Sequence, residues 1–278
     1  NRGVARIDST LELPLQRVLD RTVARYIAGV RELGVTNAAA LLVDTRTMAV
    51  VALTGSADFF DARIAGQVNA STARRSPGST LKPFIYGLAM DQGLIHTATV
   101  LKDAPTAFGV YSPENFDGRF VGPVSAHDAL IASRNVPAVA LSARLAQPSL
   151  YQFLKSAGVS KMASERHYGL ALALGGGEVS MEELAALYAM LANEGDFAPL
   201  RHLAAEPAAK PLRLLSPEAA FMVRSILADN PRPDGIASQG QSVAWKTGTS
   251  WGFRDAWSAG VFGHYALVVW VGNFDGSS

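Results

Sequence analysis

The sequence of 278 residues has no cysteine, no long apolar run and no excess of one charge. Without cysteine the chain forms no disulfide scaffold or cysteine zinc site, and it has no thiol nucleophile. The apolar runs, of which 38–43 and 265–271 are examples and none of which exceeds nine residues, fall far short of the roughly 20 residues that a membrane-spanning helix needs. The 25 basic and 24 acidic side chains nearly cancel, which argues against nucleic-acid binding. With 49% apolar and 18% charged residues, the composition predicts a globular protein.

Several common catalytic motifs are also missing. No lysine follows a glycine, which excludes a Walker-A phosphate loop. The five histidines lack the spacing of metal ligands, so we predict no metal site and no other cofactor. The three glycines at 175–177 have no βαβ frame around them and indicate a turn.

Capping residues, prolines and glycines predict six helices, and apolar patterns predict strands near both ends of the chain. The predicted helices cover 11–33 and 79–92, begin after Ser125 and at Pro137, and cover 180–195 and 216–230. The predicted strands cover 38–44, 48–54, 244–249, 257–262 and 265–271. The first and last strands can form one antiparallel sheet around a mostly helical middle. The segments 201–213 and 229–243, rich in proline, alanine and glycine, are predicted loops.

Ser79 and Lys82 form the first candidate site. They are three residues apart at the start of a predicted helix, so the lysine amine lies on the same face as the serine hydroxyl. A lysine that burial or a neighbouring cation keeps neutral can accept the serine proton and activate it as a nucleophile without histidine. The structural alternative is a capping serine followed by a solvated lysine, and composition alone yields about 0.5 such pairs by chance.

Ser133 and Asn135, separated by Arg134, form the second candidate in a turn between two predicted helices. A hydroxyl and an amide at this place can relay a proton and orient a substrate carbonyl. Asn135 can equally cap the following helix, and the tripeptide pattern is expected by chance about 0.6 times. For Arg134 we expect a solvated turn residue, and the alternative is a substrate contact at the rim of the site.

Lys246, Thr247, Gly248 and Thr249 form the third candidate, on a predicted strand. A cation with two hydroxyls suits a carboxylate, and the glycine allows a substrate backbone to approach the strand edge. The tripeptide Lys-Thr-Gly is expected by chance only about 0.03 times. Trp251 follows this strand by two residues and is a candidate for the border of the predicted cleft.

The three motifs occur in the order SxxK, SxN and KTG, and their first residues are 54 and 113 positions apart. In this order they resemble the penicillin-recognising serine acyltransferases, which are the penicillin-binding proteins and the serine β-lactamases. Further segments are similar to the large bifunctional penicillin-binding proteins, namely RRSPGSTLKP (74–83), NFDG (115–118), GP (122–123) and the stretch 174–180. The stretch 246–257 is most similar to the type 1C branch, and the similarity covers about residues 39 to 272.

The resemblance implies a role for each residue of the first two motifs. Ser79 would be the acylated nucleophile, with Lys82 as its general base. Ser133 would pass a proton to the leaving group, and Asn135 would hold the substrate amide.

The third motif would bind the substrate. Lys246 would keep the site electropositive, while Thr247 and Thr249, with Gly248 between them, would bind the terminal carboxylate. The backbone N–H groups of Ser79 and Thr249 would form the oxyanion hole.

The function that the resemblance implies is a D,D-transpeptidase acting through a Ser79 acyl-enzyme. Its partners would be peptidoglycan stem peptides ending in D-Ala-D-Ala, and β-lactam antibiotics would acylate and inhibit it. The alternatives are a D,D-carboxypeptidase, a non-catalytic penicillin-binding, sensor or docking module, and a serine β-lactamase, for which we can assign no water-activating carboxylate. The motifs do not separate a sensor from a synthase, but the similarity to the type 1C branch favours the synthase.

The implied fold is α+β, of the penicillin-binding and serine β-lactamase type, with a five-stranded antiparallel sheet flanked by helices and a large all-helical subdomain. We predict one transpeptidase domain over 1–278, with a sheet subdomain at about 1–70 and 213–278 and a helical subdomain at about 71–212. Family members of this type carry a glycosyltransferase domain and an N-terminal membrane anchor, neither of which this sequence contains. We therefore expect a piece of a longer protein at the periplasmic face of the bacterial inner membrane, which would contact the membrane only through the missing anchor.

Overall fold

A computed structural model describes residues 6–233 and 242–277. The helices and strands are numbered in chain order. The helices are α1 (Leu13–Val30), α2 (Lys82–Asp91), α3 (Ala126–Ile131), α4 (Asn135–Arg144), α5 (Leu150–Ser156), α6 (Glu165–Tyr168), α7 (Met181–Ala192) and α8 (Pro217–Ala228). The strands are β1 (Asn37–Asp44), β2 (Ala49–Thr54), β3 (Val100–Asp103), β4 (Gly122–Ser125), β5 (Asp196–Phe197), β6 (Leu212–Arg213), β7 (Ala244–Thr249), β8 (Asp255–Phe262) and β9 (Tyr265–Gly272).

Strands from the two ends of the chain form one five-stranded antiparallel sheet in the order β2-β1-β9-β8-β7. β1 pairs with β9 along its whole length, from Asn37 opposite Gly272 to Asp44 opposite Tyr265. All eight residues of β1 are buried, which identifies it as a strand covered on both faces. β7, which carries the third motif, is an edge strand, so one of its sides is open to a ligand.

Helices cover both faces of the sheet. On one face, Val23 and Ile27 of α1 pack against Ala38 and Ala40 of β1. On the other face, α7 lies against β1, β8 and β9. The capping box that Ser180 forms at the start of α7 is present, as its sequence predicts.

The central helix of the molecule is α2, whose residues from Lys82 to Met90 are all buried. A helix that is apolar on all sides must be surrounded by others, and α2 contacts α3, α4, α5 and α8. One apolar cluster joins the sheet to this helical part, with Leu41 and Val268 in the same cluster as Phe84 and Leu184. The division into a sheet subdomain and a helical subdomain stays a prediction.

The predicted antiparallel sheet, its hairpins and the main helices are confirmed, with three differences in detail. The first turn at Ser79 is a 3₁₀ turn, Gly78–Leu81, and α4 begins at Asn135, two residues before Pro137. The predicted loop 201–213 ends in the short strand β6, which pairs with β5. Residues 234–241 of the predicted loop 229–243 lie outside the described residues.

The sequence analysis missed the β3–β4 hairpin and the short helices α5 and α6. β3 and β4 have only four residues each, too few for a clear alternation of apolar and polar side chains. They matter here because β3 ends at Asp103, directly behind the second motif. In the part of the chain that the structure describes, no helix is both long enough and apolar enough to cross a bilayer.

Candidate active site

Ser79 lies in the 3₁₀ turn Gly78–Leu81, which leads directly into α2. Pro83 fits this position because the first turn of a helix needs no N–H donor from it. The Ser79 side chain is half-buried and lines a cleft of about 810 Å³. Backbone N–H groups in a first helical turn lack acceptors within the helix, so they favour negative charge beside this serine.

The 3₁₀ turn lies against β7 at a place where both segments have glycine. A Cβ on Gly78, whose φ is +53°, would lie 2.4 Å from the carbonyl oxygen of Thr249. A Cβ on Gly248 would lie 2.2 Å from the carbonyl oxygen of Pro77, and one on Gly175 would lie 2.4 Å from the backbone nitrogen of Gly78. Only glycine permits contacts this close between backbones, so these residues fix the turn at the edge of β7.

Replacement of Gly248 by alanine should therefore destabilise the protein by about 1–3 kcal/mol, because the obstructing atoms belong to the backbone and cannot rotate away. A denaturant or thermal unfolding curve measures the change. The control is Gly29→Ala in α1, where a Cβ meets nothing within 4 Å. This control should stabilise the helix by about 0.5–1 kcal/mol. Equal stability of the Gly248→Ala protein and the wild type would contradict the close packing of turn and strand.

Lys82, the first residue of α2, is completely buried, with 0% of its surface exposed. Its amine lies within hydrogen-bond distance of three oxygen atoms, namely the carbonyl oxygen of Ser133, Ser133 Oγ at 3.2 Å and Asn135 Oδ1 at 2.6 Å. Among the described residues, the amine has no hydrogen bond with Ser79 Oγ. The residues of the second motif thus hold the amine, since three of their oxygen atoms surround it.

The surroundings of Lys82 favour the neutral amine. Burial lowers the pKa of Lys82 well below its ordinary value of 10.5. The positive charges of Lys246 and Arg134 lower that pKa further, whereas the charge of Asp103 raises it. A neutral amine can accept a proton, so Lys82 has the property that a general base requires.

Ser133 Oγ lies between two buried amines, accepting hydrogen bonds from Lys246 Nζ at 2.8 Å and from Lys82 Nζ at 3.2 Å. The backbone of Ser133 is left-handed, with φ +56°, which is uncommon for a residue other than glycine. Burial lowers the pKa of Lys246 to about 8, and its amine also donates to the carbonyl oxygen of Thr247 at 3.0 Å. Because both amines donate to the Ser133 oxygen, the hydroxyl proton remains available to a further acceptor in the cleft.

Asn135 is the first residue of α4, and its side chain does not cap that helix. Its Oδ1 accepts from Lys82, its Nδ2 donates to the carbonyl oxygen of Glu114 at 2.6 Å, and its backbone nitrogen donates to Asn115 Oδ1 at 2.7 Å. The side chain lines the cleft. Asn135 therefore links the amine of the first motif to the loop that precedes β4.

The expectation of a solvated Arg134 is wrong, because only 7% of this residue is exposed. Its Nε donates to Asp103 Oδ2 at 2.7 Å, its Nη1 donates to Asp117 Oδ2 at 3.0 Å, and its Nη2 donates to the carbonyl oxygen of Arg119. Asp103 is itself fully buried at the end of β3. The two partners of this ion pair are 31 residues apart, so the local sequence of the turn does not reveal it.

Thr247 and Thr249 are exposed on the edge strand β7, whereas Gly248 between them is buried. All three line the same cleft as Ser79. Neither threonine hydroxyl forms a hydrogen bond with the described residues, so both can bind a ligand. Of the eight predicted site residues, six line the cleft, and two, Lys82 and Lys246, are buried behind its wall.

Exposed aromatic side chains form part of the cleft wall. Trp251 is 91% exposed and lines the cleft, the position for which the sequence made it a candidate. Phe253, from the same segment, meets Phe116 edge to face, with ring centroids 5.7 Å apart. The sequence analysis had assigned no site role to Phe253 or Phe116, because nothing in their local sequence indicates that the two chain segments meet.

Asp255 and Trp257 hold the segment that precedes Ser79, a role that was not predicted from the sequence. Asp255 Oδ1 accepts hydrogen bonds from Arg75 Nη1 at 3.0 Å and from Trp270 Nε1 at 2.9 Å. Trp257 Nε1 donates to the carbonyl oxygen of Ser76 at 2.9 Å. The guanidinium of Arg75 also stacks over the ring of Trp270, 4.4 Å from its centroid. The one feature of the sequence that pointed to this role of Asp255 and Trp257 was that they follow the third motif closely.

Comparisons of sequence relate this chain to known proteins. Residues 38–272 match the family model of the penicillin binding protein transpeptidase domain. Over 275 residues the chain is 38% identical to penicillin-binding protein 1C of Escherichia coli strain K12, an alignment that covers 98% of this chain and 35% of that protein. It is 30% identical over 257 residues to penicillin-binding protein 1A of Neisseria cinerea, covering 83% of this chain and 31% of that protein. The chain thus spans about one third of the length of these curated relatives.

Solved structures have the same fold. The structure of PonA1 from Mycobacterium tuberculosis in complex with penicillin V superposes with a TM-score of 0.81 at 22% identity, covering 98% of this chain and 78% of that one. Penicillin binding protein 3 from the same organism, complexed with aztreonam, gives a TM-score of 0.81 at 20% identity, covering 98% of this chain and 75% of that one. At these identities the likeness establishes the α+β fold.

Proposed function

Because the chain belongs to the penicillin-binding protein transpeptidase family, we propose that it is a serine-type D,D-transpeptidase domain from a bifunctional cell-wall synthase of type 1C. Its substrates are peptidoglycan stem peptides ending in D-Ala-D-Ala. The observation that carries this proposal is the position of Ser133 Oγ between the buried amines of Lys82 and Lys246, behind a cleft that Ser79 lines.

In the first half-reaction, Ser79 Oγ attacks the carbonyl carbon of the penultimate D-Ala. Lys82, whose burial lowers the pKa of its amine, takes the proton from the serine hydroxyl as the new C–O bond forms. The backbone N–H groups of Ser79 and Thr249 stabilise the negative charge on the carbonyl oxygen. When the C–N bond breaks, Ser133 gives its hydroxyl proton to the nitrogen of the leaving D-Ala and regains one from the lysine. The products are an acyl-enzyme ester on Ser79 and free D-Ala.

In the second half-reaction, an amine of a neighbouring stem peptide attacks the ester carbonyl. The amine loses a proton through the same hydroxyl and lysine, and the C–O bond to Ser79 breaks as the serine oxygen is reprotonated. A new amide bond then joins the two stems. β-Lactams acylate Ser79 in the same way, but their leaving amine stays attached to the acyl group, so the adduct is released slowly.

The third motif recognises the C-terminal carboxylate of the donor. Thr247 and Thr249 present free hydroxyls from the edge strand, and Lys246 adds positive charge behind them. The aromatic side chains of Phe116 and Phe253 form a wall of the same cleft. Asn135, which belongs to the second motif, orients the amide of the donor.

The β-lactamase alternative has less support. Fast hydrolysis of the acyl-enzyme requires a carboxylate that activates water, and the carboxylates among the described residues lining the cleft are Glu114 and Asp117. Asp117 is paired with Arg134, and Glu114 extends from the loop at an exposed position.

We also infer the setting of the whole protein. A bifunctional synthase carries a glycosyltransferase domain and a membrane anchor ahead of the transpeptidase, and this chain spans about one third of such relatives. The transpeptidase would then lie at the periplasmic face of the inner membrane, where peptidoglycan is assembled.

The test is a donor and acceptor assay. The protein is incubated with an acyl-peptide ending in D-Ala-D-Ala, with and without a free amine acceptor, and the products are separated by mass spectrometry. We expect release of D-Ala and formation of the new amide, with less hydrolysis as the acceptor concentration rises. Hydrolysis that the acceptor does not affect would indicate a carboxypeptidase, and turnover of penicillin without a lasting adduct would indicate a β-lactamase. Binding of donor without any cleavage would indicate a docking module.

A further inference from the structure

The turn that contains Ser133 rests on a buried ion pair. Asp103, fully buried at the end of β3, accepts from Arg134 Nε at 2.7 Å through Oδ2 and from Asn115 Nδ2 at 2.7 Å through Oδ1. The backbone nitrogen of Val121 also donates to Asp103 Oδ2 at 3.1 Å. A buried carboxylate is stable only when such partners surround it, so the β3–β4 hairpin and the turn depend on each other.

The two residues that follow Ser133 are also held through their backbone. Asn115 connects Asp103 to the backbone nitrogen of Asn135, which donates to Asn115 Oδ1 at 2.7 Å. The backbone nitrogen of Arg134 donates to the carbonyl oxygen of Ala129 at 2.9 Å. The turn is therefore held through its side chain and its backbone, from α3 on one side and from the hairpin on the other.

This support matters because Ser133 adopts an unfavourable backbone conformation. A left-handed φ of +56° in a residue with a Cβ persists only where the surroundings impose it. In that conformation the carbonyl oxygen of Ser133 accepts from Lys82, and its hydroxyl accepts from both Lys82 and Lys246. If the turn relaxed, the hydroxyl would leave the position between the two amines.

The ion pair also contributes charge next to the general base. The charged groups that face Lys82 are Lys246 from β7, Arg134 from the turn and Asp103 from β3. Tyr86, one turn further along α2, is fully buried, and burial together with the charge of Asp103 raises the pKa of its hydroxyl. The arginine and the aspartate therefore act on the Lys82 amine with opposite signs.

We propose that Arg134 and Asp103 are positioning residues of the acylation site, whose ion pair holds the Ser133 turn in its left-handed form and balances the charge around the Lys82 amine. This inference rests on the proposed function, because its readout is acylation of Ser79. The two tasks can be separated experimentally, since geometry sets the maximal rate and charge sets the pH at which the base becomes active.

The experiment measures the second-order rate of acylation by a penicillin between pH 5 and pH 10 for the wild type, Asp103→Asn, Arg134→Gln and Arg134→Lys. Asp103→Asn leaves the arginine charge unopposed, so the acidic limb of the profile should move to lower pH. Arg134→Gln leaves the aspartate charge unopposed, so the limb should move to higher pH. We expect shifts of about half a pH unit or more, in these opposite directions.

The plateau rate should fall by about 10- to 100-fold in all three variants, because a small displacement of a catalytic group has effects of this size. Arg134→Lys retains the charge but loses the planar fork, so it should lower the plateau while leaving the acidic limb close to that of the wild type. The matched control is Asp44→Asn. Asp44 is another buried carboxylate at the end of a strand, and its Oδ2 accepts from Arg46 Nη2 at 2.7 Å. In this control, neither the plateau rate of acylation nor the position of the acidic limb of its pH profile should change.

Thermal unfolding establishes that each variant is folded before its rates are compared. If Arg134→Gln does not fold, Asp103→Asn and Arg134→Lys still test charge and geometry separately. Folded variants with wild-type plateaus, or acidic limbs that move in the same direction, would overturn the inference while the proposed function stands. A wild-type protein that forms no adduct at any pH would overturn the proposed function, and this inference with it.

Discussion

Replacement of Ser79 by alanine should abolish the covalent penicillin adduct completely. The acyl group needs an oxygen nucleophile, and alanine removes that oxygen and nothing else. Ser79 Oγ has no hydrogen bond with the described residues, so the variant should unfold within about 0.5 kcal/mol of the wild type. The measurement is the intact mass of the protein over time after addition of a penicillin, in which the wild type gains the mass of the drug.

The matched control for this prediction is Ser112→Ala. Ser112 lines the same cleft and is exposed, yet it belongs to none of the three motifs. The control protein should acquire the adduct at the wild-type rate. An adduct that persists in Ser79→Ala would show that another residue is the nucleophile, and loss of the adduct in both variants would point to damage to the cleft instead.

Replacement of Lys82 by methionine should lower the acylation rate by about 100- to 10,000-fold, the range over which general bases contribute. Methionine has a similar length and suits a fully buried position, but it cannot accept a proton. The variant protein should bind penicillin and react slowly, so the loss should appear in the rate of adduct formation. Stopped-flow or quenched mass measurements at several drug concentrations separate the binding step from the chemical step.

The control for Lys82 is Lys102→Met on β3, where the lysine is exposed and does not line the cleft. Its acylation rate should match that of the wild type. If adduct formation in Lys82→Met remains within a few-fold of the wild-type rate, Lys82 is not the base. Lys246, with a pKa near 8, would then be the next amine to test.

A stability effect accompanies this chemistry. Lys82 and Lys246 are both almost completely buried. Lysines are rarely found so deep in a protein, because burial disfavours their charged form. Since the folded-state pKa of each lies below its unfolded value, the folded state binds fewer protons. These two lysines therefore lower the free energy of unfolding most at acid pH. This destabilisation decreases as the pH rises above their folded-state pKa values towards their unfolded-state pKa values. The two buried amines thus lower the stability of the fold, a trade-off that is common where a protein needs a group with a shifted pKa.

Local patterns in the sequence predicted what depends on neighbours along the chain. Helix caps, glycine stops and strand alternation depend on a few adjacent residues, and they located the hairpins and the main helices. The three motifs were recognisable for the same reason, since each consists of three or four consecutive positions. Their order and spacing predicted the family, and the comparisons confirm that prediction.

Only the tertiary structure decided how the motifs work together. The burial of Arg134, the left-handed Ser133 and the position of its hydroxyl between two amines arise from contacts between segments 31 to 113 residues apart. Such contacts leave no local pattern, because a turn with arginine is compatible with both a solvated and a buried side chain until its partner is known. For the same reason, the contact of Asp103, which lies in the four-residue strand β3, could not be predicted from the sequence. The sequence by itself thus predicted which residues carry the chemistry, and the fold determined what each of them touches.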